Sequence, residues 1–80
     1  KSLLPSGLRR VAGDFEYGDT VSCLDASEHE FARGLVNYNT QEISQIMGKR
    51  TGEIEKILGH HYYDEVIHRD NLVLMQKGKA

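Results

Sequence analysis

Thr20-Val21-Ser22-Cys23-Leu24, the polar run Asp25-Ala26-Ser27-Glu28-His29, and Phe31-Ala32-Arg33-Gly34-Leu35-Val36-Asn37-Tyr38 together decide the fold. The first five residues favour extended backbone and alternate, with Val21 and Cys23 on one face. The polar run suits a hairpin loop. The third stretch reads as a second strand with Phe31, Leu35 and Val36 as its apolar positions. Gly34 inside it marks a bulge or the close approach of another backbone.

Working outward, the upstream segment Leu3-Leu4-Pro5-Ser6-Gly7 sets an apolar pair before two turn formers. Proline removes a donor and disfavours helix at Leu4, so the first regular element is expected after Gly7. Leu8, Val11 and Phe15 are apolar positions interrupted by Gly13-Asp14, and Glu16-Tyr17-Gly18-Asp19 is a turn signal. This half reads as a β-meander. Downstream, the period changes. Asn39 followed three residues later by Glu42 resembles a capping box, and Ile43, Ile46 and Met47 follow at helical spacing to a stop at Gly48. Thr51 is placed to cap a second helix with Glu53 near its positive end, Ile54, Ile57 and Leu58 as its stripe, and Gly59 as its stop. After His60-His61-Tyr62-Tyr63, strand character returns at Val66-Ile67-His68. An Arg69-Asp70-Asn71 turn follows, then a last strand over 72–75. The expected class is mainly β with short helices, a barrel or half-barrel closed by the helical insertion. One domain is expected over residues 1–75, with 76–80 a flexible polar tail.

The 80 residues suffice for one small domain, and 39% hydrophobic with 28% charged residues is ordinary globular composition. The longest apolar run, Leu72-Val73-Leu74-Met75, is four residues, so no membrane span is expected. No basic-then-apolar leader opens the chain at Lys1. Cys23 is the single cysteine, which excludes an internal disulfide and suits a small core residue; a reducing, cytoplasmic setting is expected. Net charge is −2, with four basic and six acidic residues in the first half against six and six in the second. A dedicated nucleic-acid binder is usually strongly basic, so any such contact would need a local patch.

Several motifs fail on spacing. Gly48-Lys49-Arg50-Thr51 lacks the glycine four residues ahead that a phosphate loop needs, and Arg50 occupies the Ser/Thr position. His68-Arg69-Asp70-Asn71 echoes a kinase catalytic loop but has the Asn too close and no companion motifs. The adjacent His60 and His61 would point to opposite sides of an extended chain, so no metal site is expected from them; an interface or edge cover fits better. Glu53 and Glu55 read as helix surface, and no catalytic set stands out. Arg9-Arg10, Lys49-Arg50, His68-Arg69 and Lys77 with Lys79 are the basic groups. Gathered on one face they would track phosphates, with Tyr38, Tyr62 and Tyr63 available for stacking; scattered, they are solvated charge.

Leu3-Leu4-Pro5-Ser6-Gly7-Leu8, followed by Val11-x-Gly13-Asp14-Phe15-x-x-Gly18-Asp19-x-Val21, resembles the signature of PUA domains. Ala32-Arg33-Gly34-Leu35-Val36-Asn37-Tyr38, Glu53-Ile54-x-x-Ile57-Leu58-Gly59, Tyr62-Tyr63 and Val66-Ile67-His68-Arg69-Asp70-Asn71-Leu72 resemble the PUA domains that end bacterial glutamate 5-kinases. The resemblance implies a PUA-like pseudo-barrel of β-strands with short helices. It also implies a non-catalytic accessory role beside an upstream amino-acid-kinase domain, where ATP and Mg²⁺ would serve phosphorylation of glutamate. Such domains usually begin with a strand and an amphipathic helix ahead of the Leu-Leu-Pro segment, so an N-terminally clipped domain is expected. In RNA-binding members the corresponding surface would be Ser6, Gly7, Leu8, Arg9, Arg10, Leu72, Lys77 and Lys79. Contact with the kinase domain or other subunits would instead use Tyr62 and Tyr63.

Overall fold

The computed structural model describes residues 2–75; the tail 76–80, with Lys77 and Lys79, lies outside the described residues. Three antiparallel strands form its frame: β1 (Thr20–Leu24), β2 (Glu30–Leu35) and β3 (Leu72–Leu74), in the order β1-β2-β3. Helices α1 (Thr40–Ile46) and α2 (Ile54–Leu58) stand between the second and third strands in sequence. This is the mainly β class with short helices.

Alternation along β2 builds the core. Ala32 and Gly34 face inward, and the same phase continues past the strand through Val36 and Tyr38, all four buried. Cys23 joins them from β1, opposite Ala32. Burial pushes the Cys23 thiol above its ordinary pKa, so it serves as a small apolar side chain. Ile43 and Ile46 of α1, Ile54 of α2, and Val66 and Ile67 close the other side, none more than 2% exposed. Burying an isoleucine is worth roughly 2–3 kcal/mol, so these few side chains carry much of a thin core's stability.

The helices are fixed by their ends. Asn39 Oδ1 accepts the Glu42 N–H at 2.8 Å while Glu42 Oε1 accepts the Asn39 N–H at 2.9 Å, a complete capping box. Gly59 ends α2 in the left-handed conformation, φ 83°, as its N–H bonds the Glu55 carbonyl at 2.8 Å. The long opening segment has no ladder of its own and is tied to α1 instead. Near one end of α1 the Gly48 N–H bonds the Pro5 carbonyl at 2.7 Å, and near the other the Phe15 N–H bonds Thr40 Oγ1 at 2.8 Å.

Four expectations are corrected. Pro5–Gly7 forms a 3₁₀ turn ahead of the predicted first element, because proline's fixed φ suits the first helical position. The strand predicted to run to residue 38 leaves the ladder after Leu35, where Val36 exchanges bonds with Gly18 and Asp19, and Asn37 bonds the Val66 carbonyl. Thr51 does not cap: it begins a 3₁₀ turn, Thr51–Glu53, that runs directly into α2, whose N-cap Glu53 makes no side-chain cap bond. Val66-Ile67-His68 is not a strand. It makes one bridge, Leu3 to Ile67, before the 3₁₀ turn Arg69–Asn71.

Gly34 explains why that bridge can lie so close to the sheet. A Cβ placed there would stand 2.6 Å from the Asn71 carbonyl oxygen and 2.6 Å from Ile67 Cγ2. Backbone and a fully buried side chain cannot yield cheaply. Gly34→Ala is therefore expected to lower stability by about 3 kcal/mol, read as a reduced urea midpoint with an unchanged slope.

Candidate functional site

Two recesses lie on the described residues. The first is a cleft of about 530 Å³ lined by Tyr17, Asn37, Tyr38, Glu42, His60, Tyr62 and Tyr63. Each wall has a local cause. The 16–19 turn is closed by the Asp19 N–H on the Glu16 carbonyl and docked by the Gly18 N–H on the Val36 carbonyl, which sets Tyr17 beside Tyr63. Their rings stack with centroids 5.9 Å apart and 20° between planes, and their hydroxyls meet at 2.9 Å. Tyr38, at the buried end of the inward-facing series, packs edge-on to Tyr63 at 6.4 Å. Its hydroxyl donates to the Tyr63 carbonyl and accepts the Tyr63 N–H, pinning the backbone where the chain leaves α2.

The other wall stands on the helix cap. Glu42 keeps Oε1 on the Asn39 N–H and sets Oε2 3.3 Å from His60 Nε2. His60 in turn stacks on Tyr62, centroids 4.9 Å apart, and Tyr62 remains 77% exposed. Asn37 directs its amide nitrogen to the Glu65 carbonyl at 3.1 Å. Hydrogen bonding to Tyr17 raises the Tyr63 phenol above its ordinary pKa, and burial raises that of Tyr38. Both phenols therefore stay neutral at physiological pH. His61, by contrast, turns to Asp64 at 2.7 Å, so the adjacent histidines diverge.

The second recess is a groove of about 780 Å³ between the opening segment and the β1–β2 hairpin. Leu8, Val11, Phe15, Val21 and Phe31 are among its apolar lining residues, with Arg9 and Arg10 alongside. Both arginines are exposed, and Arg10 lies 3.5 Å from Glu28 across the groove. Ser6 and Gly7 are exposed in the first 3₁₀ turn, whereas Leu8 is half-buried against the core. Leu72 starts β3, at the edge of the sheet away from β1, and packs on the core. The structure thus joins Arg9 and Arg10 to one groove and puts Leu72 at the opposite sheet edge.

The family model for PUA domains matches residues 1–58. The chain belongs to the PUA domain family. Over 79 residues, 99% of its length, the PUA chain is 57% identical to 21% of the glutamate 5-kinase of Thermoanaerobacter sp. (strain X514). It is 53% identical over its full 80 residues to 22% of the Dictyoglomus thermophilum glutamate 5-kinase. Identity is 57% over 74 residues, 92% of this chain and 20% of the relative, for the enzyme of Teredinibacter turnerae. The chain spans about a fifth of the length of the curated relatives it matches, in their C-terminal region.

Tyr62 and Tyr63 were legible as surface aromatics with His60 beside them, but Tyr17, Asn37 and Glu42 were not read as their neighbours. Tyr17 looked like turn and Glu42 like cap, and both are those things. Among the described residues no three His, Cys, Asp or Glu side chains gather as a metal ion requires. Lys49 and Arg50 are exposed beyond α1, outside both recesses. No described helix is long and apolar enough to cross a membrane.

Tyr38→Phe removes both bonds to the Tyr63 backbone while keeping the ring. It is expected to destabilise the domain by about 1–2 kcal/mol and to speed amide exchange at Tyr63, measured by denaturation and hydrogen exchange.

Proposed function

We propose that this PUA domain is the non-catalytic accessory domain of a glutamate 5-kinase, acting through protein contacts with the kinase domain upstream or with neighbouring subunits. The observation that carries this reading is the match itself. Identity of 57% runs through nearly the whole chain yet covers only a fifth of the enzyme, in its C-terminal region. In that enzyme, ATP and Mg²⁺ would serve phosphorylation of the glutamate γ-carboxylate, the step that opens proline biosynthesis. The domain's own described side chains suit contact better than chemistry. Glu42, Asp64, His60 and His61 are committed to a helix cap and to carboxylate–histidine pairs. Large apolar and aromatic surface stands open at Tyr62, Val73 and Leu74, each more than 60% exposed.

A second reading, RNA binding, draws on Arg9 and Arg10 lying together on the groove. The nearby Glu28 and the net charge of −2 weigh against it. Titration of the domain with single-stranded RNA at 50 and 200 mM salt separates the two. Under the accessory reading the affinity is weak and nearly salt-independent. A steep fall with salt, abolished by Arg9→Ala with Arg10→Ala, would favour RNA.

Deleting this 80-residue domain from the full-length kinase is the direct test. Phosphoryl transfer should persist within about threefold, whereas oligomeric state, thermal stability or inhibition by proline should change. Loss of turnover by more than about a hundredfold in a variant whose kinase domain remains folded would overturn the proposal.

A further inference from the structure

We propose that the cleft between Tyr17, Tyr62 and Tyr63 is a docking site for an arginine side chain presented by a protein segment. Its shape and charge carry the inference. Two pairs of stacked rings, Tyr17 on Tyr63 and His60 on Tyr62, supply aromatic faces, and Tyr62 is largely open to solvent. A planar cation is what such faces attract. Glu42, 3.3 Å from His60, is the one carboxylate lining the cleft, and no lysine or arginine lines it. Each Glu42 oxygen already takes part in one contact, with the Asn39 N–H or with His60, and a carboxylate oxygen accommodates a second donor. Asn37 has committed its amide nitrogen to Glu65, which leaves its oxygen as an acceptor.

The wider field agrees. Burial chiefly, and then the nearby Glu42, Asp64 and Glu65 carboxylates, favour the neutral Tyr38 phenol, so acidic groups stand around the cleft. That charge discriminates between occupants. A nucleotide base would stack equally well, but its phosphate would be repelled by Glu42 with no lysine or arginine in the lining to hold it. A lysine ammonium would satisfy the charge but not the flat faces, whereas a guanidinium satisfies both and forks onto a carboxylate. The identity of the chain that presents the arginine rests on the accessory-domain reading; the chemistry of the cleft does not.

The test is a titration of the 80-residue chain with N-acetyl-L-arginine methylamide, followed by NMR of the tyrosine rings. The expected result is saturable shifts at Tyr17, Tyr62 and Tyr63 in the millimolar range. The neutral isostere N-acetyl-L-citrulline methylamide should bind at least about fivefold more weakly, the ratio expected for losing one partly exposed charge contact. Glu42→Gln should weaken arginine binding by a similar factor, while preserving the fold because glutamine also completes a capping box. Tyr62→Ala, at an exposed ring, should do the same. Equal response to citrulline, indifference to Glu42→Gln, or stronger shifts with adenosine monophosphate would each overturn the proposal. Arginine-selective binding in a domain whose deletion leaves the full-length kinase unchanged would support the cleft and remove the accessory reading. Silence toward arginine with a strong deletion effect would do the reverse.

Discussion

No side chain fits where the 66–71 segment crosses β2, and that steric constraint organises the whole domain. With only hydrogen at Gly34, the Asn71 carbonyl and Ile67 side chain settle directly on the strand. β3 can then pair with β2, placing Leu72 opposite Gly34 and Leu74 opposite Ala32. The same approach brings Val66 to the Asn37 N–H and Ile67 to Leu3, so one close crossing anchors both the late chain and its opening segment. A close-packed core of nine residues has little slack to absorb an added methyl at such a point.

The cleft follows from that crossing. With Val66 fixed against Asn37, the preceding residues 60–65 must run back past the end of β2, where the buried Tyr38 hydroxyl holds the backbone of Tyr63. Tyr63 is then presented to Tyr17 on the 16–19 turn, itself bound to Val36. Glu42 has two duties at this place. As the third residue of α1 it closes the capping box, and with its second oxygen it faces His60. A residue chosen for a local helix cap is thereby the carboxylate of a long-range site.

How much could be read in advance depended on the range of the interaction. The β1–β2 hairpin, the capping box at Asn39 and Glu42, the stop at Gly59 and the close approach at Gly34 are each written within a few residues, by period, cap or backbone freedom. Val66-Ile67-His68 misled because buried β-branched residues look alike in a ladder and in a single bridge. The contact of Tyr17 with Tyr63 spans 46 residues, and that of Tyr38 with Tyr63 spans 25. Nothing in either local pattern encodes such a meeting. The tyrosines were visible as residues, whereas their convergence is a property of the crossing at Gly34.

Val36 and Asn37 show why the two recesses are separate in chemistry as well as in space. Consecutive residues of an extended chain point to opposite sides, and here Val36 lines the groove while Asn37 lines the cleft. No residue lines both. The groove is apolar, its Arg9 and Arg10 offset by Asp25 and Glu28; the cleft is aromatic with a carboxylate. A polyanion drawn to Arg9 and Arg10 gains nothing from the cleft's negative field, and a cation held at Glu42 gains nothing from the arginines. The near-neutral net charge of this PUA domain thus divides into a groove of balanced charge and a cleft lined by one carboxylate.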